Sequence, residues 1–389
     1  MLLKILRYTT LFLIMLNVPG WVLAKISPVY SSYLSYLSYG LMIFYFFISK
    51  KWSVNKWLLL LGVLYFGISS LSGQLYMPTE IGFIIIIIKY FVVIIGGYAI
   101  VQDTSKKDFF FFLLLGASTV FLQIFIFFDP LKDGGRYSGF YLNPNGLGFI
   151  CMMGYGLTYG LCNKWKTIGQ ITFTIVGFLT FSRTFILVWL FMNLFSIRLS
   201  LKNLRVLAVG IGLFVGLLTF NAFLPKSNPR LMAMSNILEG KSNKTNKLEE
   251  GGRTETWALF YPALMDKPLF GNGYDAFGGG GVAGAVGAHN AYLKIIGDAG
   301  IFTLLIFLIM FFDLLLKTSR VFLKQPHLAL MTFALCLFLL TNHNFFDSGY
   351  VLFFTMWLQY QTTIATKERL NSPKMSLIKN KYKPASLKS

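Results

Sequence analysis

Charge is what this chain has least of. Of its 389 residues only 13% are Asp, Glu, Lys or Arg, against roughly 25% in an ordinary soluble domain. That deficit, with 55% hydrophobic residues, excludes a soluble enzyme. Cysteine is also scarce: Cys151, Cys162 and Cys336 all sit in apolar segments, which excludes a disulfide framework or a zinc site and leaves small hydrophobes. No strict apolar/polar alternation runs along the chain, so a transmembrane β-barrel is not expected. Asp-x-Asp pairs, a metalloprotease motif and a Gly-x-Ser-x-Gly elbow are all missing, and with them the usual magnesium, zinc and serine chemistries. Gly240-Lys241-Ser242 superficially suggests a nucleotide-binding loop, but Ser235 stands where its first glycine is required.

What the chain has is long apolar runs, such as Ile81 to Val101, Phe109 to Phe128 and Ile301 to Phe312. A helix needs about 20 mostly apolar residues to cross a bilayer. Counted that way, the sequence reads as about twelve transmembrane helices, an all-α polytopic membrane bundle. They fall near 8–24, 29–49, 57–73, 81–101, 109–128, 145–162, 167–181, 184–200, 203–224, 290–316, 327–344 and 349–366. Arg183 interrupts the seventh and eighth, for which one long helix is the rival reading. The expected organisation is 1–224 for spans one to nine, 225–288 for one large outer loop, 289–366 for the last three spans and 367–389 for a basic tail.

The net charge of +20 has a membrane explanation, because Lys and Arg collect at cytoplasmic helix ends. Lys50, Lys51, Lys56, Lys106, Lys107, Lys164, Lys166, Arg198, Lys202, Arg205, Lys317, Arg320 and Lys324 fall on one set of connections, with Lys4, Arg7 and the tail. The opposite short loops hold only Lys25, Lys132, Arg136 and Arg183. The first set is therefore read as cytoplasmic, both termini are inside, and no nucleic-acid partner is expected. Lys4 and Arg7 before an apolar stretch ending near Ala24 also fit a signal peptide; an uncleaved first span is the preferred reading.

The outer loop is long enough to expect a function. Arg253 to Met265 reads as a helix with Trp257, Tyr261 and Leu264 along one stripe. The stretch Gly271 to Gly287, with four consecutive glycines from Gly278, cannot form a stable helix and is expected to move as a lid.

With orientation fixed, the unusual polar residues collect on the outer side. Arg136 lies in a loop leading to Asn143-Pro144-Asn145, where Asn143 is placed to cap the next helix. Arg183 sits between apolar residues, Arg253 opens the loop helix, and His289-Asn290 stand where the glycine-rich stretch enters the tenth span. Singly, each has an ordinary structural explanation. Together they suit a phosphate-bearing lipid, because guanidinium groups bind phosphate oxygens bidentately and stay charged. Without a carboxylate cluster for a metal ion, such arginines can stabilise a pyrophosphate leaving group, and His289 is a candidate general base on a sugar hydroxyl. Four further residues or pairs are less pointed. Lys89 either snorkels or faces a cavity; Lys294 and Asp298 pair with each other; His343, between Asn342 and Asn344, is a minor extra candidate; His327 is interfacial.

These residues, in this order, resemble the O-antigen ligase and polymerase superfamily of bacterial envelope glycosyltransferases. The resemblance rests on Gly252-Arg253 through Trp257, Lys267 to Gly273, His289-Asn290-Ala291-Tyr292-Leu293 and Gly297 to Ile301, with Ser182-Arg183-Thr184 and Arg136 with Asn143-Pro144-Asn145 as earlier motifs. Asp298 stands where many relatives place glutamate. The resemblance implies a metal-independent, cofactor-free glycosyltransferase with a fold like the membrane-embedded C class, acting at the outer face of the inner membrane. Its donor would be an undecaprenyl-pyrophosphate-linked oligosaccharide and its acceptor a glycan, with membrane lipids and a chain-length regulator protein as further partners. By the same resemblance Arg183 and Arg253 would hold the pyrophosphate and His289 would be the base. Arg136, Asn143, Asn145, Trp257 and Asn290 would contact substrate. A polymerase joining lipid-linked repeats is favoured over a ligase that moves finished glycan to lipid A-core. A glycolipid transporter is the alternative of another class, without the internal repeat such proteins often show.

Overall fold

The computed structural model describes residues 1–72, 74–127, 135–221 and 253–371. Residues 225–252 of the expected outer loop, Lys132 with Asp133 and Gly134, and the tail beyond residue 371 lie outside the described residues.

The described residues are helical throughout, with two isolated β-bridges. In chain order the helices are α1 (Leu2–Met15), α2 (Val18–Lys25), α3 (Pro28–Ser49), α4 (Lys56–Leu71), α5 (Glu80–Gln102), α6 (Lys106–Ile126), α7 (Pro144–Thr158), α8 (Asn163–Leu179), α9 (Arg183–Ile197) and α10 (Leu204–Asn221). After the loop come the short α11 (Arg253–Ala258) and α12 (Tyr261–Asp266), then α13 (Ala291–Arg320), α14 (Pro326–Leu339) and α15 (Gly349–Leu370). Four of them, α3, α5, α6 and α13, are long and apolar enough to cross a membrane, and α1 with α2 makes a fifth if the bent pair is one span. The outward faces of α5 and α6 carry Ile81, Ile84, Ile88, Phe111 and Leu115, the apolar exterior that a helix turns to lipid rather than to water.

The centre of the bundle is α7. Every residue from Gly146 to Thr158 is buried, as expected of a helix apolar all round. Its glycines permit close approach: a Cβ at Gly154 would enter the Phe173 ring and one at Gly156 would meet Met331. Phe149 stacks on Phe338 with centroids 4.1 Å apart and meets Phe354 of α15 edge-on.

Three breaks interrupt the apolar runs. The chain bends by 49° between α1 and α2, at Asn17, which adopts a left-handed conformation (φ 52°). The apolar run around Arg183 is two helices, not one: it turns at Phe181 (φ 48°), and Ser182 caps α9 by accepting from the Phe185 N–H. The third break is inside α13, where Gly300 has φ 73° and ψ −178°. That conformation suits glycine, and a Cβ there would run into the carbonyl of Leu269.

The basic connections expected on one side do meet at one end. Arg7 bonds the Asp103 carbonyl and pairs with Asp108, Lys51 pairs with Asp103, Asn55 bonds Gln359, and Arg369 bonds the Arg320 carbonyl. His327 is a correction. It is 1% exposed, with neither ring nitrogen bonded, because it packs beneath Trp357 and against Gly160 rather than at an interface.

Candidate functional site

The opposite end of the bundle is assembled around three helix starts. Asn143 caps α7: its side-chain oxygen accepts the Asn145 N–H at 2.8 Å, with Pro144 in the first turn. The Asn145 Oδ1 accepts from Ser182 Oγ at 2.9 Å and from the Arg136 guanidinium at 3.3 Å. Arg136 also donates through Nε to the Thr180 carbonyl at 3.1 Å. The three polar motifs around Arg136, Asn143 to Asn145 and Ser182-Arg183 are thus tied to one another through a single amide. Arg183 follows as the first residue of α9, and its side chain is exposed.

The third start is α13. Asn290 is buried and caps it, its side-chain oxygen accepting from the Tyr292 and Leu293 N–H groups at 2.9 and 3.2 Å. His289, just before, is exposed and holds a left-handed backbone (φ 47°). Its backbone N–H donates to Nδ1 of His343 at 3.1 Å, and the two imidazoles lie 5.1 Å apart. Accepting at Nδ1 requires that nitrogen to be unprotonated. Burial, together with the nearby Lys294 and His289, pushes the His343 imidazole down to about 3, so it keeps that role at neutral pH.

The first part of the glycine-rich stretch, Asn272 to Phe277, is docked on the broken part of α13. A helix with a kink exposes backbone groups that need new partners. Here the Gly297 carbonyl accepts from the Asn272 N–H at 2.7 Å, the Asp298 carbonyl from the Gly273 N–H at 3.1 Å, and the Ile301 N–H donates to the Pro268 carbonyl at 3.0 Å. The Asp298 carboxylate accepts from the Phe277 and Asp275 N–H groups and from the Tyr65 hydroxyl, at 2.9, 3.2 and 2.7 Å. Lys294 does contact Asp298, at 3.9 Å, but its closer partner is Asp275. A small core of Phe260, Ala276, Phe277 and Ala288 closes over this network.

The expected stripe on the loop helix is rearranged by Pro262, which starts a separate helix, α12. Tyr261 is exposed and Phe260 is the fully buried residue instead. Trp257 keeps a place at the site, its indole N–H donating to the Ala288 carbonyl at 2.9 Å. Arg253 opens α11; its side chain lies outside the described residues.

A cavity of about 290 Å³ lies where these parts meet, lined by Asn143, Asn145, Trp257, His289, His343 and the neighbouring Asn342 and Asn344. Four of the residues singled out from sequence therefore share one wall, Arg136 braces Asn145 behind it, and Asn290 holds the helix beneath His289. The stretch Thr341 to Asn344 also lines the cavity, with His343 beside His289. Its signal in the sequence is the polar triplet Asn342-His343-Asn344 against an apolar run. Asn143, Asn342 and Asn344 also line a second cavity of about 320 Å³, with Asn17, Tyr39, Asp347 and Tyr350. A third, of about 220 Å³, is lined by Tyr39 and Asp347 together with Lys89. Lys89 thus faces a cavity and lies 5.8 Å over the Tyr39 ring. Asp347 is not among the residues that stand out in the sequence. It is surrounded by protein yet remains accessible through the cavity, and burial, opposed by Lys294, pushes its carboxyl above the ordinary range.

Residues 168–308 match the family model described as O-antigen ligase. The matched region runs from α8 to the middle of α13 and contains Arg183, Arg253, Trp257, His289 and Asn290, but not Arg136, Asn143 or Asn145. No curated protein matches the chain.

Proposed function

We propose, from the premise that residues 168–308 carry the domain of the O-antigen ligase and polymerase superfamily, that this chain is a polysaccharide polymerase of the bacterial envelope. It joins oligosaccharide repeats carried on undecaprenyl pyrophosphate, at the outer face of the inner membrane. The observation that carries this reading is the convergence of His289, Trp257, Asn143 and Asn145 on one cavity, with Arg183 and Arg253 opening the two helices beside it.

In the proposed reaction a hydroxyl oxygen of the acceptor sugar attacks the anomeric carbon of the donor. The bond from that carbon to the pyrophosphate oxygen breaks, and the lipid pyrophosphate leaves with the bonding pair. Arg183 and Arg253 hold the departing charge, where fixed guanidinium groups are most effective. His289 takes the hydroxyl proton, the role of an imidazole acting as general base. The left-handed backbone of His289, held by His343, fixes where that imidazole is presented. Twelve spans with both termini inside and the loop 225–288 outside complete the proposed topology. The basic end of the bundle would then be cytoplasmic.

A second reading, transfer of a finished glycan to lipid A-core, is favoured by the description of the matching family model. Deleting the gene in its host and resolving the surface glycan on a gel separates the two. Loss of the long ladder, with one repeat still attached to carrier or core, is the polymerase outcome. Full-length polymer accumulating on the carrier, with none on lipid A-core, is the ligase outcome. An unchanged glycan contradicts both.

A further inference from the structure

The second cavity differs in chemistry from a phosphate site. Among the described residues lining it there is no lysine or arginine, and Asp347 is the one carboxylate. The rest of its polar wall is amide and hydroxyl, including Asn17, Asn143, Asn342, Asn344, Tyr39 and Tyr350. A carboxylate in a partly desolvated pocket repels a phosphate. The same carboxylate accepts hydrogen bonds from hydroxyl groups, and asparagine amides offer both donors and acceptors to them.

The amides are held in place. Asn143 and Asn342 each turn the side-chain oxygen back to the N–H two residues on, at 2.8 Å in both cases. That leaves the NH₂ group of each as the part to donate to a ligand. Asn17, at the bend between α1 and α2, is fixed through Nδ2 to the Phe140 carbonyl at 3.3 Å, which leaves its oxygen as the acceptor. Asp347 is steadied by the Tyr274 hydroxyl at 3.3 Å, and Tyr274 belongs to the stretch docked on α13. Tyr39 and Tyr350 add aromatic faces, on which the C–H faces of a sugar ring can lie. At about 320 Å³ the space sits at the lower end of the roughly 300–1,000 Å³ of small-molecule sites. Asn143, Asn342 and Asn344 line both this cavity and the one at His289.

We propose that this amide-lined cavity, with Asp347 in its wall, is the subsite for an uncharged sugar unit of the acceptor glycan, held through its hydroxyls while the next sugar reaches His289. The proposal rests on the glycosyl-transfer function and adds to it a division by charge. Pyrophosphate lies on the arginine side of His289, and neutral sugar on the Asp347 side.

Binding measured without turnover tests it. The full-length protein in lipid nanodiscs is titrated, by saturation-transfer NMR, with the repeat oligosaccharide cut from the host's own surface glycan, free of lipid and phosphate. The wild type is expected to bind it, and to bind the same oligosaccharide with its primary hydroxyls oxidised to carboxylates at least tenfold more weakly. Asp347→Ala and Asn344→Ala are each expected to weaken binding of the neutral probe about tenfold. Asp347→Asn, which keeps size and one acceptor, loses less and regains binding of the oxidised probe. Arg183→Ala leaves the neutral probe within twofold of wild type. Equal binding of both probes, unchanged binding by folded Asp347→Ala and Asp347→Asn proteins, or loss of the neutral probe in Arg183→Ala would overturn the assignment. The glycan profile of the deletion strain is independent of all these outcomes, so failure of the subsite and failure of the enzymatic reading are told apart.

Discussion

The two ends of the bundle are built from different chemistry. At the basic end, long cationic side chains meet a few carboxylates: Arg7 with Asp108, Lys51 with Asp103, and Lys317 with Asp313. These pairs are partly exposed, and such pairs contribute little stability, about 0–1 kcal/mol each. At the other end Lys294 and Asp298 are buried with Asp275 half-buried beside them, and asparagine, histidine and tryptophan surround open space. Their bonds run to backbone and fix helix starts. The first end carries partly exposed ion pairs; the second holds shape, which is what a site for chemistry requires.

The largest effect expected from breaking this contrast is on transfer. His289→Ala or Arg253→Ala should reduce glycan product at least a hundredfold, with the protein still inserted and expressed, as read by the glycan ladder of complemented cells. Lys51→Ala at the basic end should leave the ladder unchanged. Equal loss from both ends would erase the distinction.

Next comes the docking of the glycine-rich stretch. Gly300→Ala forces a side chain into the Leu269 carbonyl and adds roughly 1–3 kcal/mol of backbone strain, in a region essentially reserved for glycine. Asp298→Ala removes the acceptor for Phe277, Asp275 and Tyr65 and leaves Lys294 with one carboxylate fewer. Breaking a buried charged group of this kind costs about 3–5 kcal/mol. Both variants should lower the midpoint of thermal unfolding in detergent and open residues 271–288 to protease. A wild-type midpoint and cleavage pattern would mean that the docking contributes nothing.

A smaller effect is expected from His343. His343→Ala removes the acceptor for the His289 N–H, and should lower turnover about tenfold while leaving donor binding within twofold; His343→Gln, which retains an acceptor, should restore part of the rate. An unchanged rate would show that His289 needs no such support.

The smallest effects concern pH. The His343 pKa is lowered on folding, so the unfolded chain binds a proton that the folded one refuses. Stability should therefore fall as pH drops from about 6.5, the unperturbed histidine value, toward about 3. Asp103 has the complementary behaviour at the other end: burial pushes its carboxyl up, but hydrogen bonds from Lys51 and Tyr45 prevail and hold it below its usual value. Its contribution is present above the ordinary carboxylate range and fades as pH falls through it. Unfolding midpoints of His343→Gln and Asp103→Asn across acid pH check both signs.

Local features are legible in the sequence where the physics is local. Asn143-Pro144 announces a capped helix start, and Ser182 before Arg183 a break, because caps and turns need only a few adjacent residues. Lys294 and Asp298 are readable as neighbours from their spacing of four, but Asp275, the closer partner, comes from a different segment. The glycine-rich stretch reads as loose because its partners are backbone groups freed by the Gly300 kink, which no local pattern reveals. The stripe pattern through Tyr261 ignores the helix break at Pro262, and so places Tyr261 on the packed face in place of Phe260. The stretch from Thr341 to Asp347 joins the site only through tertiary packing, and Asp347, in Phe-Phe-Asp-Ser-Gly, carries no sign of the cavity it lines.

The central claim, that glycosyl transfer is performed at the cavity under His289, is tested most directly by reconstitution. Wild type, His289→Ala and His289→Gln proteins of equal folded content are placed in proteoliposomes with the host's lipid-linked repeat, and elongation is followed by mass spectrometry. Extension by the wild type and at least a hundredfold loss in both variants is the expected result. Extension at the wild-type rate by either variant would contradict the claim.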